Sequence, residues 1–251
     1  MRSTVESGRS TGYLPRAEEE PIRFPHGGEE IVFSNKLIKP AGYFGSMIQV
    51  DYHGFSKPTP GEVLTSLLYV ANQGRVPQIP ELSRLQRAVL SGIPFWLPGM
   101  NLVKDGRIYT AEDSDLSRYH VNSLLGGNEV DLPMAYEWLK HQASSHKKAA
   151  AEPIVFDSPQ AFADDDYMRA EFGDDVAGTA VKAAYARGFK MVYETNVDYC
   201  KGDPRLEFPS IQVDRNNGWV TVSRNNSGNE KYSSFAKLLP YQIRNLHRSA
   251  S

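Results

Sequence analysis

Two dipeptides restrict the fold of this chain more than any other feature. Asn217-Gly218 stands between Ile211-Gln212-Val213 and Trp219-Val220-Thr221-Val222, and Asp105-Gly106 stands between Asn101-Leu102-Val103-Lys104 and Arg107-Ile108-Tyr109-Thr110. A tight turn between antiparallel strands needs residues that tolerate positive φ, and Asn-Gly and Asp-Gly supply them at little steric cost. Each pair therefore predicts a β-hairpin, and an all-helical fold is excluded.

Helical signals are interleaved with these strands. Thr59-Pro60-Gly61-Glu62 combines an N-cap, a proline at the first helical position and a capping-box glutamate, and Val63, Leu64, Leu67, Leu68 and Ala71 follow at helical spacing. A helix is expected there, ending near Gly74. Pro80 and Glu81 open a second, with Leu82, Leu85 and Val89 on one face and Gly92 as its stop. Short helices are also expected over residues 114–125 and 133–142. Ser158-Pro159 reads as another cap, and Asp174-Asp175 starts a helix that ends at Gly188, with Ala177, Ala180, Val181 and Ala184 as a close-packing side.

Further strands are expected at Ile31-Val32-Phe33, over residues 47–52 where apolar and polar residues alternate, at Ile154-Val155-Phe156, and over residues 189–194. Long βα alternation and internal repeats are missing. The fold class is α+β: a mixed sheet with two tight hairpins, flanked by short helices.

Residues 1–30 are rich in Ser, Gly, Arg, Glu and Pro, and carry few groups able to pack, namely Tyr13, Leu14, Ile22 and Phe24. They are expected to form a flexible tail, or an arm that orders on a partner. Residues 31–251 form the globular part, with an exposed connector at 144–152 as the candidate boundary between two subdomains.

With 28 basic and 30 acidic residues the formal net charge is −2, so no global positive field draws the chain to nucleic acid or an anionic membrane. No apolar run is long enough to span a bilayer, and the first ten residues are polar, which points to a cytoplasmic protein. The single cysteine, Cys200, excludes an internal disulfide and a multi-thiolate zinc site.

No cofactor-binding motif is present. The glycine-bearing stretch Gly42-Tyr43-Phe44-Gly45-Ser46 lacks the lysine of a phosphate loop and reads as a turn. Asp164-Asp165-Asp166 lacks the spacing of a calcium loop and reads as a solvated helix face; no metal is expected. Asp51 and His53 form the most site-like pair, because on a strand they face the same way about 7 Å apart, with Lys36 or Lys39 nearby, and could serve as acid and base. Cys200, beside Lys201 in a turn-rich stretch, is the candidate thiol nucleophile. Lys237, Arg244 and Arg248, set among aromatics in the C-terminal stretch, are the candidate nucleic-acid contacts, with a docked amphipathic helix as the simpler account.

Composition favours binding over catalysis, since aromatic residues recur in expected loops. Phe95-Trp96-Leu97-Pro98 is apolar and turn-rich at once, either a buried crossover or an exposed contact. The reading is a non-catalytic structural or interaction subunit that associates with itself or another protein through Tyr13, Phe24, Phe95 and Trp96. The alternative is a small-substrate hydrolase using Asp51 and His53 or Cys200, and a third is nucleic-acid binding.

Overall fold

The computed structural model describes residues 21–26, 28–34, 37–72, 85, 87–104, 107–111, 144–147, 153–173, 178–194, 205–225, 232–239 and 242. In chain order the elements are β1 (Ile22–His26), β2 (Glu29–Phe33), β3 (Ile38–Ala41), α1 (Tyr43–Tyr52), α2 (Pro60–Asn72), β4 (Phe95–Trp96), β5 (Met100–Lys104), β6 (Arg107–Ala111) and β7 (Ser144–Lys147). They continue with β8 (Ile154–Val155), α3 (Pro159–Ala163), α4 (Asp166–Phe172), α5 (Thr179–Ala186), β9 (Lys190–Glu194), β10 (Arg205–Asp214), β11 (Trp219–Asn225) and β12 (Tyr232–Ser234). The fold is α+β.

β1 and β2 form a separate antiparallel hairpin, and the other strands make one mixed sheet in the order β3-β12-β4-β10-β11-β9-β8. β10 is the strand on which this sheet branches. It is antiparallel to β11 along one edge; on its other edge Ser210 and Ile211 pair with β4, while Arg205 to Glu207 pair with β5. From β5 the arm continues antiparallel to β6 and then β7. β9 runs parallel to β11, and β12 parallel to β4.

Both expected hairpins are present. Lys104 pairs with Arg107 at the end of β5 and β6, as a two-residue Asp-Gly loop requires. The Asn-Gly hairpin is wider: Asp214 pairs with Trp219, and the Asp214 carboxylate accepts hydrogen bonds from the Asn216 and Asn217 N–H groups at 2.9 and 3.3 Å. Gly218 closes the turn at φ +67. An Asx-type turn has replaced the two-residue one because Asp214 can satisfy the loop backbone locally.

The capping box forms at α2 as expected: Glu62 N–H donates to Thr59 Oγ1 at 3.2 Å and Thr59 N–H donates to Glu62 Oε2 at 2.9 Å. α2 buries Val63, Leu64, Leu67, Leu68 and Val70 in the main core, with Val181 and Ala184 of α5, Ile211 and Val213 of β10, and Val220 and Val222 of β11. Ile31 and Phe33 also enter this core, whereas Val32 turns the other way into a smaller cluster with Ile38, Val50, Phe55, Ala236 and Leu238. That alternation is the period of a strand.

Five expectations need correction. Residues 22–26, assigned to the tail, form β1, because Ile22 and Phe24 have a core to enter. Residues 47–52 belong to helix α1, whose buried Tyr43, Ser46, Met47 and Val50 recur at helical spacing. Gly42 is therefore the N-cap of a helix, not part of a turn before a strand. Residues 144–147 are β7, paired to β6, so the connector expected there is a strand of the sheet arm. In the C-terminal stretch residues 232–234 are β12, where a helix was the simpler account.

Elsewhere the readings meet the structure at element ends. Gly92 stops the helical turn over residues 87–90 at φ +74, Ser158 caps α3 through a hydrogen bond from Ala161 N–H, and Gly188 follows α5 at φ +87. α5 begins at Thr179 with Gly178 as N-cap. The expected helices over 114–125 and 133–142, and the Asp174-Asp175 start, lie outside the described residues.

Candidate functional site

α4 starts on a strong signal. Asp165 is its N-cap, and its Oδ1 accepts from the N–H groups of Tyr167 and Met168, both at 3.1 Å. Asp166 holds Arg169 in an exposed pair at 2.6 Å, and Gln160 donates to the exposed Asp164 at 2.8 Å. The aspartate trio is thus a helix junction, and no group of metal-ligating side chains exists among the described residues.

One turn apart on α4, Tyr167 and Glu171 both point inward. Tyr167 Oη donates to Glu171 Oε2 at 3.1 Å. Asn101 of β5 donates through Nδ2 to Tyr167 Oη at 3.0 Å and to the same Glu171 Oε2 at 3.3 Å. The sheet supplies the rest. In β11, Val220 and Val222 face the core, and the period of two places Arg224 on that same side. Its guanidinium lies 5.2 Å from the ring centres of both Tyr167 and Tyr193, and its Nη1 is 3.2 Å from Glu207 Oε2 of β10. Arg224 is 1% exposed and Glu207 2%.

Burial raises the Glu171 carboxyl above its ordinary value, against the lowering pull of the hydrogen bonds from Asn101 and Tyr167 and of the Arg224 charge. Burial also pushes the Tyr167 phenol well up, helped by the neighbouring Glu171. The cluster thus joins a carboxyl held above its ordinary value, a phenol held well above its own, an amide and an ion pair. Such a set can bind or release one proton inside the protein.

The residues singled out from sequence go elsewhere. Asp51 and His53 stand at the C-terminal end of α1, so the strand geometry that aligned them is absent. Asp51 pairs with Lys57 at 3.4 Å, and the His53 ring packs near Tyr52 and Phe55. Lys39 is exposed on β3. Lys237 ion-pairs with Glu62, and its backbone bridges Phe33 and Ser56, so it fastens α2 to the segment that follows β12. Phe24, Phe95 and Trp96, expected at an interface, are core residues: Phe24 packs edge-on to Phe33 and Tyr69, Phe95 stacks on Phe235, and Trp96 lies against Tyr43 and Tyr232. Their rings are too deep to meet a partner. Tyr13, Lys36, Cys200, Arg244 and Arg248 lie outside the described residues.

Sequence reasoning missed Asn101, Tyr167, Glu171, Arg224 and Glu207 altogether. One signal was available: Arg224 breaks the Val220, Val222 alternation at a core-facing position, and a charge there implies a buried partner. No helix among the described residues is long and apolar enough to cross a membrane. The chain matches no known protein family, no curated protein and no solved structure.

Proposed function

We propose that this chain is a non-catalytic interaction subunit that pairs with a second copy of itself through the outer side of α1. The observation that carries this reading is an apolar stripe: half-buried Phe44, then Ile48 and Tyr52, follow at successive helical turns, with Ile48 42% and Tyr52 81% exposed. Exposed apolar side chains on one helix face mark contact surfaces. A single helix offers little area beside the roughly 800 Å² per partner of a stable interface, and a two-fold pairing supplies a matching apolar patch from the same sequence. The Asp51 and Lys57 pair beside the stripe is self-complementary in sign for such an arrangement.

Size-exclusion chromatography with light scattering on the full chain, on Ile48→Glu/Tyr52→Glu and on a version lacking residues 1–20 tests the proposal. A defined dimer that the double substitution converts to monomer, and the truncation leaves intact, is the expected result. A dimer lost only on truncation moves assembly to the N-terminal arm and Tyr13, and a monomer in every sample overturns self-association.

A further inference from the structure

Among the described side chains, the buried cluster contains two carboxyl groups, on Glu171 and Glu207, and a single guanidinium, on Arg224. With all three ionised the set carries one negative charge in a largely buried region, where only Glu171 keeps a small exposure of 8%; one added proton makes it neutral. The geometry selects where that proton sits. Glu207 holds the Arg224 guanidinium directly, while Glu171 receives two neutral donors, Tyr167 Oη and Asn101 Nδ2, both converging on Oε2. Its Oε1 remains for the proton, on the side facing Gly99.

The cluster also spans the branch of the sheet. Tyr167 and Glu171 belong to α4, Asn101 to the β5 arm, and Arg224, Tyr193 and Glu207 to β11, β9 and β10. α4 rests on β6, β7, α2 and α3 as well. The one charged residue of α2, Glu62, is engaged by Thr59 and Lys237, and Asp164 beside α3 is exposed. Among the described side chains, Arg224 is therefore the cation that faces Glu171.

We infer that this cluster is a proton-operated latch: with a proton on Glu171 it fastens α4 to both the β5 arm and the β9–β11 strands, and loss of that proton to solvent releases α4. Ionised Glu171 becomes a second anion competing with Glu207 for one guanidinium, and the contact least able to hold is the seven-residue helix that carries it. The sign follows from linkage. An acid held above its unfolded value binds its proton more tightly when folded, so its contribution is complete below the ordinary carboxyl value of 4.5 and is lost as pH rises through the raised one.

Hydrogen–deuterium exchange of the α4 amides in the full chain, compared with Glu171→Gln at each pH, cancels the intrinsic pH dependence of exchange. The amide side chain keeps the shape and remains neutral. Relative to this variant, α4 in the wild type is expected to lose protection about tenfold per pH unit between the ordinary carboxyl value and the raised one. The same experiment should leave β10 and β11 protected. Equal pH dependence in both proteins, or a loss spread evenly over β10 and β11, overturns the latch. If Glu171→Gln does not fold, carbon-detected titration of the wild-type carboxyl together with α4 amide exchange decides: Glu171 titrating above the ordinary value with α4 protection falling over the same pH range sustains the proposal, and titration at or below that value, or α4 protection unmoved by it, overturns it.

Discussion

Glycine matters differently at two helical positions, where an added Cβ would meet a clash at one and an ordinary contact at the other. At Gly61, in the first turn of α2, an added Cβ would sit 2.5 Å from the Phe172 carbonyl oxygen at the end of α4. No side-chain rotation relieves that contact, since the atom it meets is backbone. At Gly45, inside α1, the nearest atom is Ala41 Cβ at 3.5 Å, an ordinary van der Waals distance. Helix propensity favours alanine at both sites by about 0.5–1 kcal/mol. Gly61→Ala is nevertheless expected to destabilise by about 1–3 kcal/mol through overpacking, whereas Gly45→Ala is expected to be neutral to stabilising. Urea midpoints of the two variants check the contrast; a stabilised Gly61→Ala would mean that α2 and α4 do not approach closely.

Among the elements, those with a local chemical signal were legible in the sequence. The Thr59 to Glu62 box, the Asp105-Gly106 hairpin and the Ser158 cap depend on residues within one turn of each other, so spacing alone reveals them. Thr59→Ala removes the acceptor for Glu62 N–H and should lower stability by about 1 kcal/mol, read as a shift in denaturant midpoint with unchanged slope. An unchanged midpoint would show that the cap is redundant with Pro60. α1 was misread for a reason that is also local. Over residues 47–52 the alternation fits a strand, and only a window reaching back to Tyr43 exposes the helical recurrence of Tyr43, Ser46, Met47 and Val50. β1 and β7 were missed because neither is stable by composition: each becomes a strand through its partner, β2 and β6 respectively.

At the scale of the whole molecule, the buried polar cluster is signalled in the sequence only by Arg224, a charge at a core-facing position of β11. Asn101, Tyr167, Glu171, Glu207 and Arg224 come from β5, α4, β10 and β11, and only the branching of the sheet at β10 makes them neighbours. Burying an ion pair is not in itself stabilising, because desolvation offsets most of the attraction. Removing one partner is a different matter, since it takes a directly paired charge away from a group that stays buried. Arg224→Met is therefore expected to cost about 3–5 kcal/mol, removing the counter-charge of Glu207 and the cation between the Tyr167 and Tyr193 rings. Arg224→Met combined with Glu207→Leu replaces both charges with apolar groups and should recover much of that loss, which a double-mutant cycle of denaturant midpoints measures directly. A double variant no better than Arg224→Met alone would show that the guanidinium works mainly through the two tyrosine rings. Recovery, with α4 still anchored by Glu171 and Asn101, would instead place the main demand for Arg224 on the Glu207 charge at the branch of the sheet.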